Sequence, residues 1–202
     1  MLTAQNLTVN GLAPFDLTIE AGECVALTGA SGSGKTLVLR ALADLDPGEG
    51  EVTLDGHSRT AIAAPDWRRR VVYLAAEPGW WADRVAAHFP SGDAGGGLVD
   101  GSVAALLDAL GLPLGLLEQS VATASTGERQ RLALIRVLLL NPRVLLLDEP
   151  TSGLDEDAAE RVEGLLRARL AGGAAILLVT HEPRLASRLA DRRLEIRDGV
   201  LS

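Results

Sequence analysis

One octapeptide constrains this chain more than any other stretch: Gly29-Ala30-Ser31-Gly32-Ser33-Gly34-Lys35-Thr36. It follows the pattern G-x-x-x-x-G-K-T, a phosphate-binding loop that works only between a buried strand and the start of a helix. Both flanks comply. Cys24-Val25-Ala26-Leu27-Thr28 is a short apolar run that reads as a buried parallel strand. Leu37 to Ala43 carries Leu and Ala at helical spacing. The glycines let the backbone curl so that successive N–H groups face phosphate oxygens, and the helix N-terminus adds the positive end of its dipole. Lys35 then reaches the β- and γ-phosphates, and the Thr36 hydroxyl holds Mg²⁺. Lys35 is the only lysine in the chain.

A length of 202 residues suits one domain with a full core. The net charge is −8, and the basic blocks Arg68-Arg69-Arg70 and Arg192-Arg193 are short. An acidic chain without a basic stripe argues against a nucleic-acid partner. Cys24 is the only cysteine, so no disulfide and no cysteine-rich metal site is expected, and it reads as a small core residue. The N-terminus has no signal-like stretch. The runs Val137 to Leu140 and Val144 to Leu147 are far too short to cross a bilayer, so the expected location is cytoplasmic.

Taken in order, Thr3 to Val9 and Phe15 to Ile19 alternate and read as two antiparallel strands joined across Asn10-Gly11. Glu51 to Leu54 is a strand ended by the Asp55-Gly56 turn, and Arg70 to Leu74 is another strand. Trp81 to Phe89 reads as a short helix, Pro90 to Gly101 as a mobile glycine-rich loop, and Ser102 to Leu110 and Leu114 to Glu118 as helical. Ser125 opens a long helix to about Leu140. Arg143 to Leu147 is an apolar strand, Asp155 to Leu170 an amphipathic helix, Ala174 to Thr180 a buried strand, and Arg184 to Ala190 a helix. Arg193 to Ile196 and Val200-Leu201 close the chain as a hairpin. Strands alternating with helices around a phosphate loop give an α/β fold, interrupted by an all-helical stretch between about Pro78 and Pro142.

A second constellation follows. Val144 to Leu147 runs directly into Asp148 and Glu149. In phosphate-loop NTPases an aspartate at a strand end beside the loop strand holds the Mg²⁺ shell, and Asp148 fits. Glu149 points to the other side, where it orients or deprotonates the attacking water.

The order of these motifs resembles that of the ATP-binding cassette (ABC) ATPases over essentially the whole chain. The phosphate loop and Asp148-Glu149-Pro150 match closely. Thr151-Ser152-Gly153-Leu154-Asp155 is similar to the family's D-loop, with Gly153 where Ala is usual. Val179-Thr180-His181 resembles the switch-histidine segment, and Ser125-Thr126-Gly127-Glu128-Arg129-Gln130-Arg131 the signature, usually Leu-Ser-Gly-Gly-Gln. The resemblance implies one domain over 1–202: a P-loop NTPase core with an antiparallel β subdomain, about 1–77 and 143–202, and a helical subdomain at about 78–142. It implies ATP and Mg²⁺, with Thr36 and Asp148 toward the metal and Lys35, Glu149 and His181 catalytic. His181 would hydrogen-bond the γ-phosphate. It also implies a head-to-tail homodimer or pseudo-dimer, with two ATP molecules held between the phosphate loop of one chain and Ser125, Thr126, Gly127 and Glu128 of the other.

Three features depart from the family. The signature carries Ala124, Thr126 and Glu128 in place of Leu, Gly and Gln. Ser125-x-x-Glu128 is at the same time a capping box. The family's glutamine after the strand at Arg70 to Leu74 is replaced by Ala76, with Glu77 beside it. No aromatic lies near Asn10-Gly11 to stack adenine, and Phe15 reads as strand core. Trp80-Trp81 fits either the core of the helical stretch or a docking surface.

The favoured function is the ATPase subunit of a membrane transporter. Its spans would lie on another polypeptide, and this chain would sit peripherally on the inner face of the cell membrane. A soluble ABC protein usually carries two cassettes or a coiled-coil insertion and basic nucleic-acid surfaces, which are missing. A phosphate-loop metabolite kinase would lack the signature and the switch histidine.

Overall fold

The computed structural model describes residues 1–89 and 102–202. The chain opens on β1 (Leu2–Thr8) and β2 (Phe15–Ile19), paired antiparallel. β2 alternates buried and exposed side chains, as a strand with one face in a core must. β1 loses that alternation at Asn6, where φ is 49° and the register shifts against both neighbouring strands. β3 (Cys24–Gly29) leads through the glycine loop into α1 (Lys35–Leu42). β4 (Glu49–Leu54) turns through Asp55-Gly56 into β5 (His57–Ser58). α2 (Ala64–Arg70) precedes β6 (Val71–Leu74). A 3₁₀ turn at Val85–His88 is followed by α3 (Ser102–Ala109), 3₁₀ turns at Leu114–Glu118 and Val121–Thr123, and α4 (Thr126–Leu139). β7 (Val144–Asp148), α5 (Glu156–Ala171), β8 (Ala175–Val179), α6 (Pro183–Leu189), β9 (Arg192–Arg197) and β10 (Val200–Leu201) follow.

Two sheets result. A four-stranded antiparallel sheet has the order β2-β1-β4-β5, and a six-stranded sheet has the order β10-β9-β3-β8-β7-β6, parallel except for β10. Both faces of the larger sheet are covered, which is why β7 and β8 are buried at every position. Successive residues feed two separate cores. Leu145, Leu147, Ile176 and Leu178 face a core completed by α3, α4, α5 and α6. Val144, Leu146, Leu177 and Val179 face a core completed by α1, Trp67 and the smaller sheet. Cys24 is fully buried, and burial, with Asp191 and Glu23 beside it, pushes its thiol up to about 12. It is a core residue, as the sequence suggests. Phe15 is buried in the smaller sheet's core as well.

Three expectations change. β7 does not lie beside β3, because β8 intervenes. All three strands open on a run of at least four apolar residues, so the pattern carries no information on their order. Trp81 to Phe89 is not a helix. Val85 N–H donates to the Gln119 carbonyl, Val121 N–H donates to the Asp83 carbonyl, and Arg84 bridges Ser120, so the backbone is committed to the 119–121 segment before the single turn at Val85–His88. α2 was not expected. Its start is set by Pro65, and its one buried side chain is Trp67. The loop expected at Pro90 to Gly101 lies outside the described residues.

Trp67 joins the elements around it. It is fully buried, and its Nε1 donates to the Leu42 carbonyl at 2.9 Å, satisfying an otherwise orphaned group at the end of α1. Trp67→Ala should cost about 3–5 kcal/mol in urea denaturation. A loss below about 1 kcal/mol would mean that the site refills or that α2 contributes little.

Candidate nucleotide site

The glycine loop begins where β3 ends. Gly29 has φ 144°, and a Cβ there would lie 2.6 Å from the Ile196 carbonyl oxygen and 2.8 Å from Ser33 Oγ. No side chain fits between β9 and the loop at this position. Gly34, at φ 105°, is the N-cap of α1 and brings no side-chain acceptor, so the first-turn N–H groups remain available to an anion. Lys35 is buried to 8% exposure, and its Nζ donates to the carbonyls of Gly29 and Ala30, both at 2.9 Å. An ammonium has three donors, so one remains for a phosphate oxygen. Ser33 N–H closes on the Ala30 carbonyl, while Ser33 Oγ is buried without a partner among the described residues. Ser31, Gly32, Gly34, Lys35 and Thr36 border an open cavity of about 300 Å³, whose far wall is Asp148, Glu149 and His181. Leu12 reaches over from the β1–β2 connection to pack against Gly34.

The far wall is built by the ends of β7 and β8. Asp148 is 5% exposed, and its Oδ2 accepts from Thr36 Oγ1 at 2.7 Å and from the Tyr73 hydroxyl at 3.2 Å. Burial and the adjacent Asp148 carboxylate push the Tyr73 phenol well above its ordinary range, so it remains a donor. Glu149 turns the other way. Its backbone is left-handed, with φ 50°, a strained conformation for a residue with a Cβ. Glu149 Oε2 accepts from the His181 N–H at 3.1 Å, and Oε1 lies 3.7 Å from His181 Nε2. Glu149 Oε1 is buried and makes no hydrogen bond among the described residues. The His181 ring is exposed. The structure thus brings together every phosphate-loop residue, Asp148, Glu149 and His181.

The residues present fit a divalent cation. Thr36 Oγ1 and Asp148 Oδ2 are hard oxygens within hydrogen-bond distance, and two buried oxygens nearby, Ser33 Oγ and Glu149 Oε1, lack partners among the described residues. Among the described residues no group of three or more His, Cys, Asp or Glu could hold a metal. A Mg²⁺ ion here would therefore draw most of its shell from phosphate and water, as Mg²⁺ commonly does.

Ser125, Thr126, Gly127 and Glu128 form the start of α4, and none of their hydrogen bonds reaches the glycine loop. Ser125 Oγ accepts from the Glu128 N–H at 3.2 Å, and Glu128 Oε2 accepts from the Ser125 N–H at 2.7 Å, so the capping box read from the spacing is complete. Gly127 packs on the D-loop: a Cβ there would lie 3.2 Å from a Leu154 methyl carbon and 3.4 Å from the Gly153 carbonyl oxygen. Asp155 is the N-cap of α5, and its Oδ1 accepts from the Ala158 N–H at 2.8 Å.

Two residues of this region escape the sequence reading. Tyr73 is one. Gln130 is the other: it is 3% exposed, and its Nε2 donates to the Glu149 carbonyl at 3.3 Å, bracing the left-handed backbone there. The available signals were a hydroxyl in an apolar strand and an amide on the core side of a helix. Trp80 packs against the helical core, whereas Trp81 is 72% exposed, and the Arg136 guanidinium stacks over both rings at 4.4 and 5.0 Å.

The capping box has a direct test. Ser125→Ala and Glu128→Ala should each lower stability by about 0.5–2 kcal/mol in urea denaturation. The double variant should lose less than the sum of the two, because the partners act as one unit. Strict additivity would mean that the two hydrogen bonds do not cooperate.

The family model described as ABC transporter matches residues 12–152, more than half of the chain. A lipoprotein-releasing system ATP-binding protein, LolD of Nitratidesulfovibrio vulgaris, is 39% identical over 94% of this chain and 85% of its own. An Fe(3+) ions import ATP-binding protein, FbpC of Streptomyces coelicolor, is 38% identical over all of this chain and 61% of its own. The chain spans only 33% to 61% of the length of its Streptomyces relatives. Among solved structures, a dimeric ATP-binding cassette in a post-hydrolysis state bound to ADP and Pi matches with a TM-score of 0.86 over 100% of this chain and 97% of that one, at 24% identity. That likeness shows the fold. The family match and the relatives show the membership: the chain belongs to the ABC transporter family, on its ATP-binding side.

Proposed function

We propose that this chain is the ATP-binding and hydrolysing subunit of an ABC transporter, acting through a dimer that sandwiches nucleotide. The observation that carries the proposal is the 2.7 Å contact of Thr36 Oγ1 with Asp148 Oδ2, beside a Glu149 oxygen that is buried and unpartnered. It joins a phosphate cradle to a carboxylate pair at one cavity. Lys35 and the first N–H groups of α1 bind the β- and γ-phosphates. Thr36 and Asp148 would hold Mg²⁺, which supplies charge neutralisation on the phosphoryl oxygens when bound. Glu149, held through Oε2 by the His181 N–H, keeps Oε1 free to accept a proton from the attacking water. His181, exposed at the rim, would hydrogen-bond the γ-phosphate. The first turn of α4 faces the nucleotide of a second chain, and its N–H groups offer the positive end of a helix dipole.

The proposed organisation is one domain: a core over about 1–77 and 143–202 and a helical subdomain over about 78–142. No helix of the described residues is long and apolar enough to cross a membrane. The proposed partner, suggested by the family and not by that absence, is an integral membrane subunit on a separate polypeptide, with this chain at the cytoplasmic face. One relative is named for Fe³⁺ import and another for lipoprotein release. The two names differ in cargo and direction, so neither is carried over.

Lys35→Ala should weaken ATP binding roughly 10- to 100-fold, the scale of a lost charged hydrogen bond. Unchanged affinity in a nucleotide titration would reject the phosphate-loop role. Glu149→Gln should retain ATP binding while hydrolysis falls on the order of a hundredfold or more, and an ATP-bound dimer should accumulate on size exclusion. Wild-type turnover in that variant would assign the base elsewhere.

A further inference from the structure

Asp148 has two hydroxyl donors, of which the reading above uses one. Thr36 donates to Oδ2 from the start of α1, and Tyr73 donates to the same oxygen from β6. The placement follows from the sheet. β6 and β7 are parallel, with Tyr73 opposite Leu146. Leu146 and Asp148 share a face because strand side chains alternate. Leu146 and Val38 of α1 lie in the core against which Tyr73 packs. Strand β6, strand β7 and helix α1 therefore send one polar group each to the same point.

We propose that Tyr73 is a positioning residue for the metal side of the nucleotide site, its phenol and the Thr36 hydroxyl together fixing the orientation of Asp148. The proposal rests on the nucleotide-site reading given above. The segment after β6 offers no other group for the task. Ala75 and Ala76 carry no polar side-chain atom, and Glu77 is exposed, with no ion pair among the described residues. Two donors on Oδ2 hold the carboxylate at one rotation, and Oδ1 accepts no hydrogen bond among the described residues. A carboxylate fixed in that way presents Oδ1 to a cation or its waters without first having to be ordered, and the entropy of ordering is already spent on folding. With Thr36 alone, a single hydrogen bond leaves rotation about Cβ–Cγ open. Tyr73 never touches the nucleotide; it acts through Asp148.

The test is Tyr73→Phe, which keeps the ring and its packing and removes only the hydroxyl. ATP binding is measured by calorimetry in EDTA and then across a Mg²⁺ titration. The Mn²⁺ resonance spectrum of the ATP-loaded protein is recorded alongside. In EDTA the variant should bind ATP as the wild type does. The Mg²⁺ concentration giving half of the full affinity should rise on the order of threefold to tenfold, part of the strength of a hydrogen bond to a charged group. The Mn²⁺ lines should broaden as the metal environment becomes heterogeneous. An unchanged Mg²⁺ requirement with an unchanged Mn²⁺ spectrum overturns the proposal. So does an equal loss of affinity in EDTA and in Mg²⁺, which would make Tyr73 a packing residue only. A wild-type chain that binds no ATP in either condition overturns the nucleotide-site reading, a result separable from both.

Discussion

A parallel sheet covered on both faces can expose function only at its strand ends, and this structure depends on that constraint. β7 and β8 are buried at every position, so neither has a free face on which to build a site. The chemistry gathers where β3, β7 and β8 stop, the usual place for a ligand in an open α/β sheet. β3 ends in the glycine loop, β7 in Asp148 and Glu149, and β8 in the turn that carries His181. The 2.7 Å hydrogen bond from Thr36 to Asp148 then ties the loop to the second strand over, across β8. A displacement of β7 by one residue would carry Asp148 to the opposite face, into the apolar core filled by α4 and α5.

What the sequence revealed and what it hid follow from how local each feature is. The glycine loop was legible because its residues act within one turn of backbone. The Ser125–Glu128 capping box was legible for the same reason, its two hydrogen bonds spanning three residues. Strand order was not, since β3, β7 and β8 are all apolar and any of them could be central. The shape of Trp81 to Phe89 was not legible either, because its apolar content says nothing of the backbone pairing with 119–121 that settles it. Tyr73 and Gln130 were missed because each acts on a residue far along the chain, Asp148 and Glu149. A hydroxyl in an apolar strand and an amide on the core side of a helix were the only traces they left.

The start of α4 bears on both halves of the proposed mechanism. Its first turn carries Ser125 and Gly127, which are proposed to meet the nucleotide of a second chain. One turn further on, Gln130 holds the backbone of this chain's own Glu149, and Gly127 rests on the D-loop. A short, capped helix end is thus in contact with the segment that supplies the base of its own site. The Glu128 carboxylate occupies the Ser125 N–H in the single chain. A phosphate approaching that turn would meet the helix dipole and a neighbouring negative charge at once, and the balance would set how readily two chains close.

The central claim is that each site is completed by a second copy of the chain, and mixing two inactive variants tests it most directly. Lys35→Ala disables the phosphate loop, and Ser125→Ala with Gly127→Asp disables the first turn of α4. In a mixed dimer one site carries both defects and the other carries neither. The expected result is that each variant alone hydrolyses no ATP, that the signature variant still binds ATP as a monomer, and that the mixture recovers hydrolysis. A mixture as inactive as its components, together with lost ATP binding by the signature variant alone, would contradict the account and place the first turn of α4 in its own chain's site.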